Sequence, residues 1–289
     1  MTMSKGKTDD VTGTETTGHS WDGIEELNTP LPRWWLWTLY LCIIWGIIYT
    51  IAYPAWPMVS GATKGVLGWS TRANVAAEIT AHESKNADLA TALLATDMDV
   101  LPASADLNRY AVARGGAVFR ANCSQCHGSG AAGAKGYPNL LDDEWLWGGA
   151  MADIEYTVRH GIRNEQDADA RYSQMPAFGE LLEKDEITAV VEHVVSLSNA
   201  EFDATLAEAG ATVFADNCSA CHGETGLGDR AQGAPNLADA IWLYGGDRNA
   251  LTETVKNARF GVMPAWGPRL TEADVRAVSA YVHSLGGGE

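Results

Sequence analysis

The sequence predicts an all-α protein in which one membrane-spanning helix precedes two tandem copies of a small helical domain. Three observations lead there. One uncharged apolar run lies near the N-terminus, the second half repeats itself motif by motif, and neither copy carries a strong strand pattern.

The apolar run reads WWLWTLYLCIIWGIIYTIAY, from Trp34 to Tyr53. A helix rises about 1.5 Å per residue, so this run spans roughly 30 Å, the thickness of bilayer hydrocarbon. Trp34, Trp35 and Trp37 at one end, and Tyr49, Tyr53 and Trp56 at the other, match interfacial aromatic belts. Pro30 and Pro32 precede the run and Pro54 and Pro57 end it, which sets the anchor at residues 30–57. The run begins too late and is too long for a cleaved secretory signal, and no small-residue cleavage site follows it. Cys42 inside it reads as an inert, buried small hydrophobe. Residues 1–29 are polar and Thr/Gly-rich and read as a disordered cytoplasmic tail. Residues 58–106 are Ala-rich with spaced apolar positions and read as a linker of one or two helices; Pro102 and Ser104 mark its end.

The chain of 289 residues carries a formal charge of −17. That balance excludes nucleic acid as a partner, because phosphate binding needs clustered Lys and Arg. It suits a basic protein partner drawn in by long-range attraction, and it equally suits simple solubility.

The repeat occupies residues 107–200 and 201–289. The first copy reads GGAVFRANCSQCHGSG, then YPNL, WLWGG and MPAFGELLEKDEITAVVEHVVSL. The second reads GATVFADNCSACHGETG, then APNL, WLYGG and MPAWGPRLTEADVRAVSAYVHSL. The order is the same and only the loops differ; the first copy has extra polar residues from about Arg163 to Gln174. Each copy predicts a helix leading into CxxCH (Tyr110–Asn122 or Thr205–Asn217), a Gly-rich loop, and a middle helix starting near Trp145 or Trp242. A Met-Pro loop follows, then a closing amphipathic helix capped near Asp185 or Thr271. In the first copy Ile187, Val190, Val191, Val194 and Val195 share one face of that closing helix.

Four of the five cysteines form the two CxxCH units: Cys123, Cys126 and His127, then Cys218, Cys221 and His222. A structural zinc site needs four ligands, and each self-contained copy offers two cysteines and one badly spaced histidine. A redox dithiol belongs in a βαβ pattern, which is missing here. Covalent haem fits every feature. Two thiols form thioethers to one macrocycle, and the next residue aims its imidazole at the iron. Two such units predict two covalently bound haem c groups on two class I-like cytochrome c domains. Their attachment on the oxidising side of a bacterial inner membrane places both domains in the periplasm and the N-terminus in the cytoplasm.

Met175 and Met263, each followed by proline, recur at equivalent points and are the candidate sixth ligands. Methionine ligation raises the potential and closes the iron to substrate, which suits electron transfer. A lone methionine usually packs a core, and the recurrence argues against that reading. His160, His193 and His283 are weaker rivals. Pro138 and Pro235 offer backbone carbonyls that can accept the ring N–H of the proximal histidine, or they simply form turns. Trp145, Trp147, Trp242 and Tyr244 are candidates to pack near the haem. Met175 can serve His127 and Met263 His222, or the two can cross between copies; the sequence leaves both open.

The whole pattern, with HSWDGIEELNTPLPRWWLWTLY from His19 to Tyr40 as its most specific part, resembles the dihaem CcoP (FixP) subunit of cbb3-type cytochrome c oxidase. The resemblance covers residues 20–287. It implies a respiratory subunit that relays electrons from a donor cytochrome c, through a monohaem c subunit, toward a catalytic haem–copper subunit that reduces O2 in a proton-pumping complex. It implies no O2-reducing centre on this chain. Two alternatives remain at this stage: a membrane-anchored dihaem cytochrome c peroxidase, which needs an iron with an open or displaceable ligand, and an anchored dihaem cytochrome serving another complex.

Overall fold

The computed structural model describes residues 6–198 and 201–289. The chain divides into two compact units, Met1–Ser84 and Lys85–Glu289. In the first, strands β1 (Thr16–Trp21) and β2 (Ile24–Leu27) pair antiparallel, with Trp21 opposite Ile24. Polar composition predicts disorder over residues 1–29, and this paired segment corrects that expectation for residues 16–27. Asp22-Gly23 forms the turn with φ of 50° and 85°, the double left-handed conformation that closes a tight hairpin. An Asp-Gly flanked by apolar residues was the available signal. Residues 1–5 of the expected tail lie outside the described residues.

Helix α1 (Arg33–Ala52) is long and apolar enough to cross a membrane, and none of its residues is buried. Cys42 is exposed on it, contrary to the expected burial. The side chains of α1 are all at least partly exposed, as the apolar surface of a membrane-spanning helix would be. A short strand pair, β3 (Pro57–Met58) with β4 (Gly61–Ala62), and helix α2 (Thr71–Lys85) follow.

The second unit is helical. It begins with α3 (Ala87–Ala95) and a 3-10 turn (Met98–Ala103). The first repeat then supplies α4 (Ala105–Asn122), α5 (Ser124–His127), α6 (Met151–His160) and α7 (Lys184–Leu197). The second supplies α8 (Ala204–Asn217), α9 (Ser219–His222), α10 (Arg248–Asn257) and α11 (Glu272–His283). Side-chain caps start these helices where the sequence offers them. Asp203 accepts from the amides of Thr205 and Leu206, Thr271 accepts from that of Asp274, and Glu183 with Glu186 forms a capping box on α7. The middle helices begin at Met151 and Arg248, later than the predicted starts at Trp145 and Trp242. Gly148 and Gly245 intervene at φ of 97° and 99°, a backbone conformation outside any helix.

The cores show which helices belong together. The face Ile187, Val190, Val191, Val194 and Val195 of α7 is buried against Phe214 of α8 and Leu251 of α10. The matching face of α11, Val275, Val278 and Val282, is buried against Phe119 of α4 and Ile154 and Val158 of α6. The two closing helices are therefore exchanged. Each repeat's CxxCH helix packs against the last helix of the other repeat, not its own as the linear order suggests. Repetition makes the two closing helices chemically near-equivalent, so the sequence pattern cannot distinguish the two pairings. Leu93 of α3 and Leu101 are fully buried with Ala277 and Ala280 of α11, so part of the expected linker packs into the first core. Arg276 of α11 fixes that contact by donating to the carbonyls of Leu93 (2.9 Å) and Thr96 (2.6 Å) at the end of α3.

One device repeats at both helix crossings. A Cβ on Gly115 of α4 would lie 2.0 Å from the Ala277 carbonyl oxygen of α11, and a Cβ on Gly210 of α8 would lie 2.0 Å from the Ala189 carbonyl oxygen of α7. Only glycine permits backbones this close. The approach seats fully buried Phe119 and Phe214 against the opposing helices, where each buried aromatic contributes about 1.5–3 kcal/mol. Charge pairs flank the crossings. Arg114 meets Asp274 at 2.7 Å between α4 and α11, and buried Glu192 of α7 pairs with Arg248 of α10. The Arg248 guanidinium holds the Glu192 carboxyl below its ordinary range, outweighing its burial.

Gly115→Ala and Gly210→Ala are each expected to destabilise the fold by about 1–3 kcal/mol through overpacking. Gly130→Ala, where a Cβ meets nothing within 4 Å, serves as the control; thermal unfolding of the three variants checks this. Glu192 has a lowered folded pKa. Its contribution is therefore present above the ordinary Glu pKa and lost as pH falls through the depressed folded value. Glu192→Gln is expected to lower the thermal midpoint at neutral pH and to narrow its gap from the wild type as the solution is acidified.

Candidate functional site

Each CxxCH unit sits on a single helical turn immediately after a long helix. Helix α4 ends at Asn122, Cys123 is the hinge, and α5 carries Ser124 to His127; α8, Cys218 and α9 do the same in the second copy. The turn presents both cysteines and the histidine to one side. Cys123 packs into the core with Phe119 and Ala131, and Cys218 into the core with Phe214 and Leu237, whereas Cys126 and Cys221 are exposed. Burial pushes the Cys123 and Cys218 thiols up to about 11, with the neighbouring Cys126 and Cys221 adding to it. All four are free thiols. A reactive dithiol needs the opposite shift, so the local chemistry disfavours a redox role.

The imidazoles are oriented as a metal-facing pair requires. His127 Nδ1 lies 3.1 Å from the Pro138 carbonyl oxygen, and His222 Nδ1 lies 3.0 Å from that of Pro235. A carbonyl only accepts, so the hydrogen bond puts the ring proton on Nδ1 and leaves the Nε2 lone pair for a metal. Burial lowers both histidine pKa values, outweighing the carbonyl contact, which keeps the rings neutral and able to ligate. The two PNL turns thus do more than reverse the chain.

The methionines fall on opposite sides of the exchange. The backbone of Met263 pairs with Ile162, N to O at 3.0 Å in both directions, and its side chain packs in the core that holds Cys123. Trp266 and Gly267 continue the attachment by donating to Val158 and Arg159 at the end of α6. Met263 therefore belongs to the body that carries His127. Met175 lines a cavity of 1020 Å³ together with Cys218, Cys221 and His222. That volume lies at the upper end of small-molecule and cofactor sites, and its walls include Val190, Val194 and Leu251, so it suits a large flat apolar group. The paired cysteines, the oriented imidazole, a methionine on the same cavity and the apolar walls together fit haem c. The rival histidines are occupied elsewhere. His160 contacts Asp167 at 3.1 Å, His193 packs at a tilt against Phe214, and His283 meets the Glu289 carbonyl at 2.9 Å.

The predicted aromatics divide by role. Trp145 and Trp242 pack in the two cores. Trp147 and Tyr244 instead reach across. Trp147 presses on Gly233 in the second copy's loop, where a Cβ would lie 2.2 Å from the indole, and Tyr244 lies against Gly136 in the first copy's loop. The amide of Gly136 donates to Leu243 at 2.9 Å, which seals this second contact. Sequence reasoning missed the C-terminal tail. Trp145 Nε1 donates to the Gly287 carbonyl, the Glu289 amide donates to Gly149 at 3.1 Å, and the Glu289 carboxylate pairs with Arg230 at 2.6 Å. A terminal GGGE carries no signal for such a clamp, because glycine-rich ends read as loose chain.

In the chain free of haem, a thiol-alkylating reagent near pH 8 is expected to modify Cys126 and Cys221 first. Cys123 and Cys218 should react only as pH rises toward 11; peptide mass spectrometry after timed quenching reads the order.

Comparison with known proteins gives concordant matches. Residues 13–60 match the family described as the N-terminal domain of cytochrome oxidase-cbb3, FixP. Residues 111–194 and 205–282 match the family described as cytochrome c oxidase, cbb3-type, subunit III. The chain is 60% identical over 276 residues to the cbb3-type cytochrome c oxidase subunit CcoP of Cereibacter sphaeroides, covering 95% of both chains. It is 52% identical over 286 residues to the CcoP of Rhodobacter capsulatus, covering 95% of this chain and 96% of that one. It is 50% identical over 281 residues to the FixP of Sinorhizobium medicae, covering 97% of both.

Proposed function

The chain belongs to the CcoP/FixP family of cbb3-type cytochrome c oxidase subunits, a membrane-anchored electron-transfer subunit, and on that premise we propose that it carries two haem c groups with crossed axial ligands. The first group is held by Cys123, Cys126 and His127 with Met263 as sixth ligand. The second is held by Cys218, Cys221 and His222 with Met175. The observation that carries the crossing is the exchange of closing helices, which puts Met263 beside Ile162 in one body and Met175 in the cavity of His222 in the other.

When bound, haem c supplies a one-electron carrier that alternates between ferrous and ferric iron. The protein groups then set what that carrier can do. Pro138 and Pro235 hold each imidazole in the ligating tautomer. A methionine thioether would be a soft ligand that favours the ferrous state, and Met175 and Met263 bound to the irons would close them to O2 and peroxide. Val190, Val194 and Leu251 supply an apolar wall on one side. This chemistry favours the relay over a peroxidase, which needs an open iron.

In the assembled enzyme the subunit receives electrons from a donor cytochrome c and passes them by way of the monohaem c subunit toward the catalytic haem–copper subunit. Its N-terminus lies in the cytoplasm of a bacterium, α1 crosses the inner membrane, and the helical unit from Lys85 onward is periplasmic. The orientation is supported by the need for covalent haem attachment on the oxidising side.

The crossing is tested in a chain carrying Cys218→Ala and Cys221→Ala, so that only the haem of His127 is covalently held. Met263→Ala in that background is expected to abolish the His–Met spectrum and lower the midpoint potential, while Met175→Ala leaves both unchanged. The reverse pattern would establish ligation within each repeat.

A further inference from the structure

Two arginines line the cavity of His222 without a carboxylate partner. Arg163, from the first copy's insertion, donates from Nε to the Gly261 carbonyl (2.6 Å) and from Nη1 to that of Ser173 (2.8 Å). Arg259, from the second copy, donates from Nη2 to the Ala250 carbonyl (2.7 Å) and the Thr254 hydroxyl (2.6 Å). The other partly buried arginines at the helix crossings, Arg114 and Arg159, each meet a carboxylate, whereas neither of these two makes an ion pair among the described residues. Each lies over an aromatic ring. Arg259 stacks on the Tyr244 ring at 4.7 Å, and Arg163 faces the Phe260 ring next in sequence to Arg259, at 5.7 Å. Tyr244 also lines the cavity.

A half-buried cation held only by neutral carbonyls and ring faces is an incomplete arrangement, because its desolvation is offset only in part. Burial accordingly pushes the Arg163 guanidinium below its ordinary value, against the partial help of Tyr244 and Tyr172. Asp142, Glu144, Asp229 and Asp247 line the same cavity, and among the described residues none of them pairs with either arginine. An anion inside the cavity would complete the coordination of both guanidinium groups. Haem carries two propionate carboxylates on the edge opposite the one that forms thioethers, and guanidinium is the side chain best shaped to bind carboxylate.

We propose that Arg163 and Arg259 anchor the propionates of the haem carried by Cys218, Cys221 and His222, and so set its potential. The inference rests on that haem reading. It adds a division of labour: the second copy supplies the covalent anchor and the proximal ligand, while the first copy's insertion supplies one of the two cations. That gives a reason for residues 163–174, which have no counterpart in the second copy.

The test uses the purified oxidase complex containing the variant chain, with redox titration at the c-type absorption band over a range of pH. Loss of a neighbouring cation favours ferric iron and raises the propionate pKa. Arg163→Gln and Arg259→Gln are therefore each expected to lower the midpoint potential of one c-type haem and to shift its pH dependence upward. Each should also move the propionate bending band in the resonance Raman spectrum. Arg163→Lys and Arg259→Lys should retain most of the wild-type potential, and Arg109→Gln, at an exposed pair with Asp106, should change nothing. A glutamine variant that fails to load haem while its lysine counterpart loads supports the same conclusion. Unchanged potential and Raman band in both glutamine variants would overturn it, as would loading failure in the lysine and glutamine variants alike. The underlying haem reading is judged separately: haem staining of the denatured Cys218→Ala/Cys221→Ala chain should fall by half, and an undiminished signal would remove that reading whatever the arginines do.

Discussion

The close backbone contacts at Gly115 and Gly210 are the constraint from which the rest of the helical unit follows. At each, a helix leading into a CxxCH turn lies against the carbonyl backbone of a closing helix, nearer than any Cβ allows. That approach buries Phe119 under α11 and Phe214 under α7 and fixes where the CxxCH turn begins. From there, position is inherited. The turn sets the cysteines and the histidine, and the chain returning through Pro138 or Pro235 meets the histidine ring from behind.

The exchange of closing helices has a mechanical consequence. Each body is completed by a helix and a Met-Pro loop from the other repeat, so neither repeat has a full core by itself. Contacts between loops add to this. Trp147 rests on Gly233, Tyr244 on Gly136, and the C-terminal tail joins Trp145 and Gly149 of the first repeat to Arg230 of the second. Interlocked bodies resist relative motion of the two CxxCH sites, and such stiffness suits an electron-transfer subunit.

Within the exchange, the two sites are not copies. The cavity of His222 draws walls from both repeats, including the cation Arg163 from an insertion that the second repeat lacks. The body of His127 is extended instead by α3 and its buried Leu93, which come from the segment after the anchor. Duplication supplied one chemical plan, and the segments outside the repeat gave each site its own surroundings. Unlike surroundings tune the potential of a redox group held in them.

The sequence by itself determined the chemistry. Two CxxCH units, two Met-Pro turns, two PNL turns and an uncharged apolar run are local patterns, and each follows from a covalent or short-range requirement that spacing records. The proximal histidine contacts with Pro138 and Pro235 were legible for the same reason: they close loops of 11 and 13 residues. The Asp22-Gly23 hairpin was legible too, though polar composition hid it. The tertiary structure decided the pairing: which closing helix covers which CxxCH helix, which methionine stands in which body, and which arginines face the cavity unpaired. Closing helices with apolar residues at the same spacing, Ile187, Val190 and Val194 in one and Val275, Val278 and Val282 in the other, present equivalent apolar faces, so either can bury either partner. The choice is made by long-range packing and loop reach, quantities that no local pattern in the chain encodes.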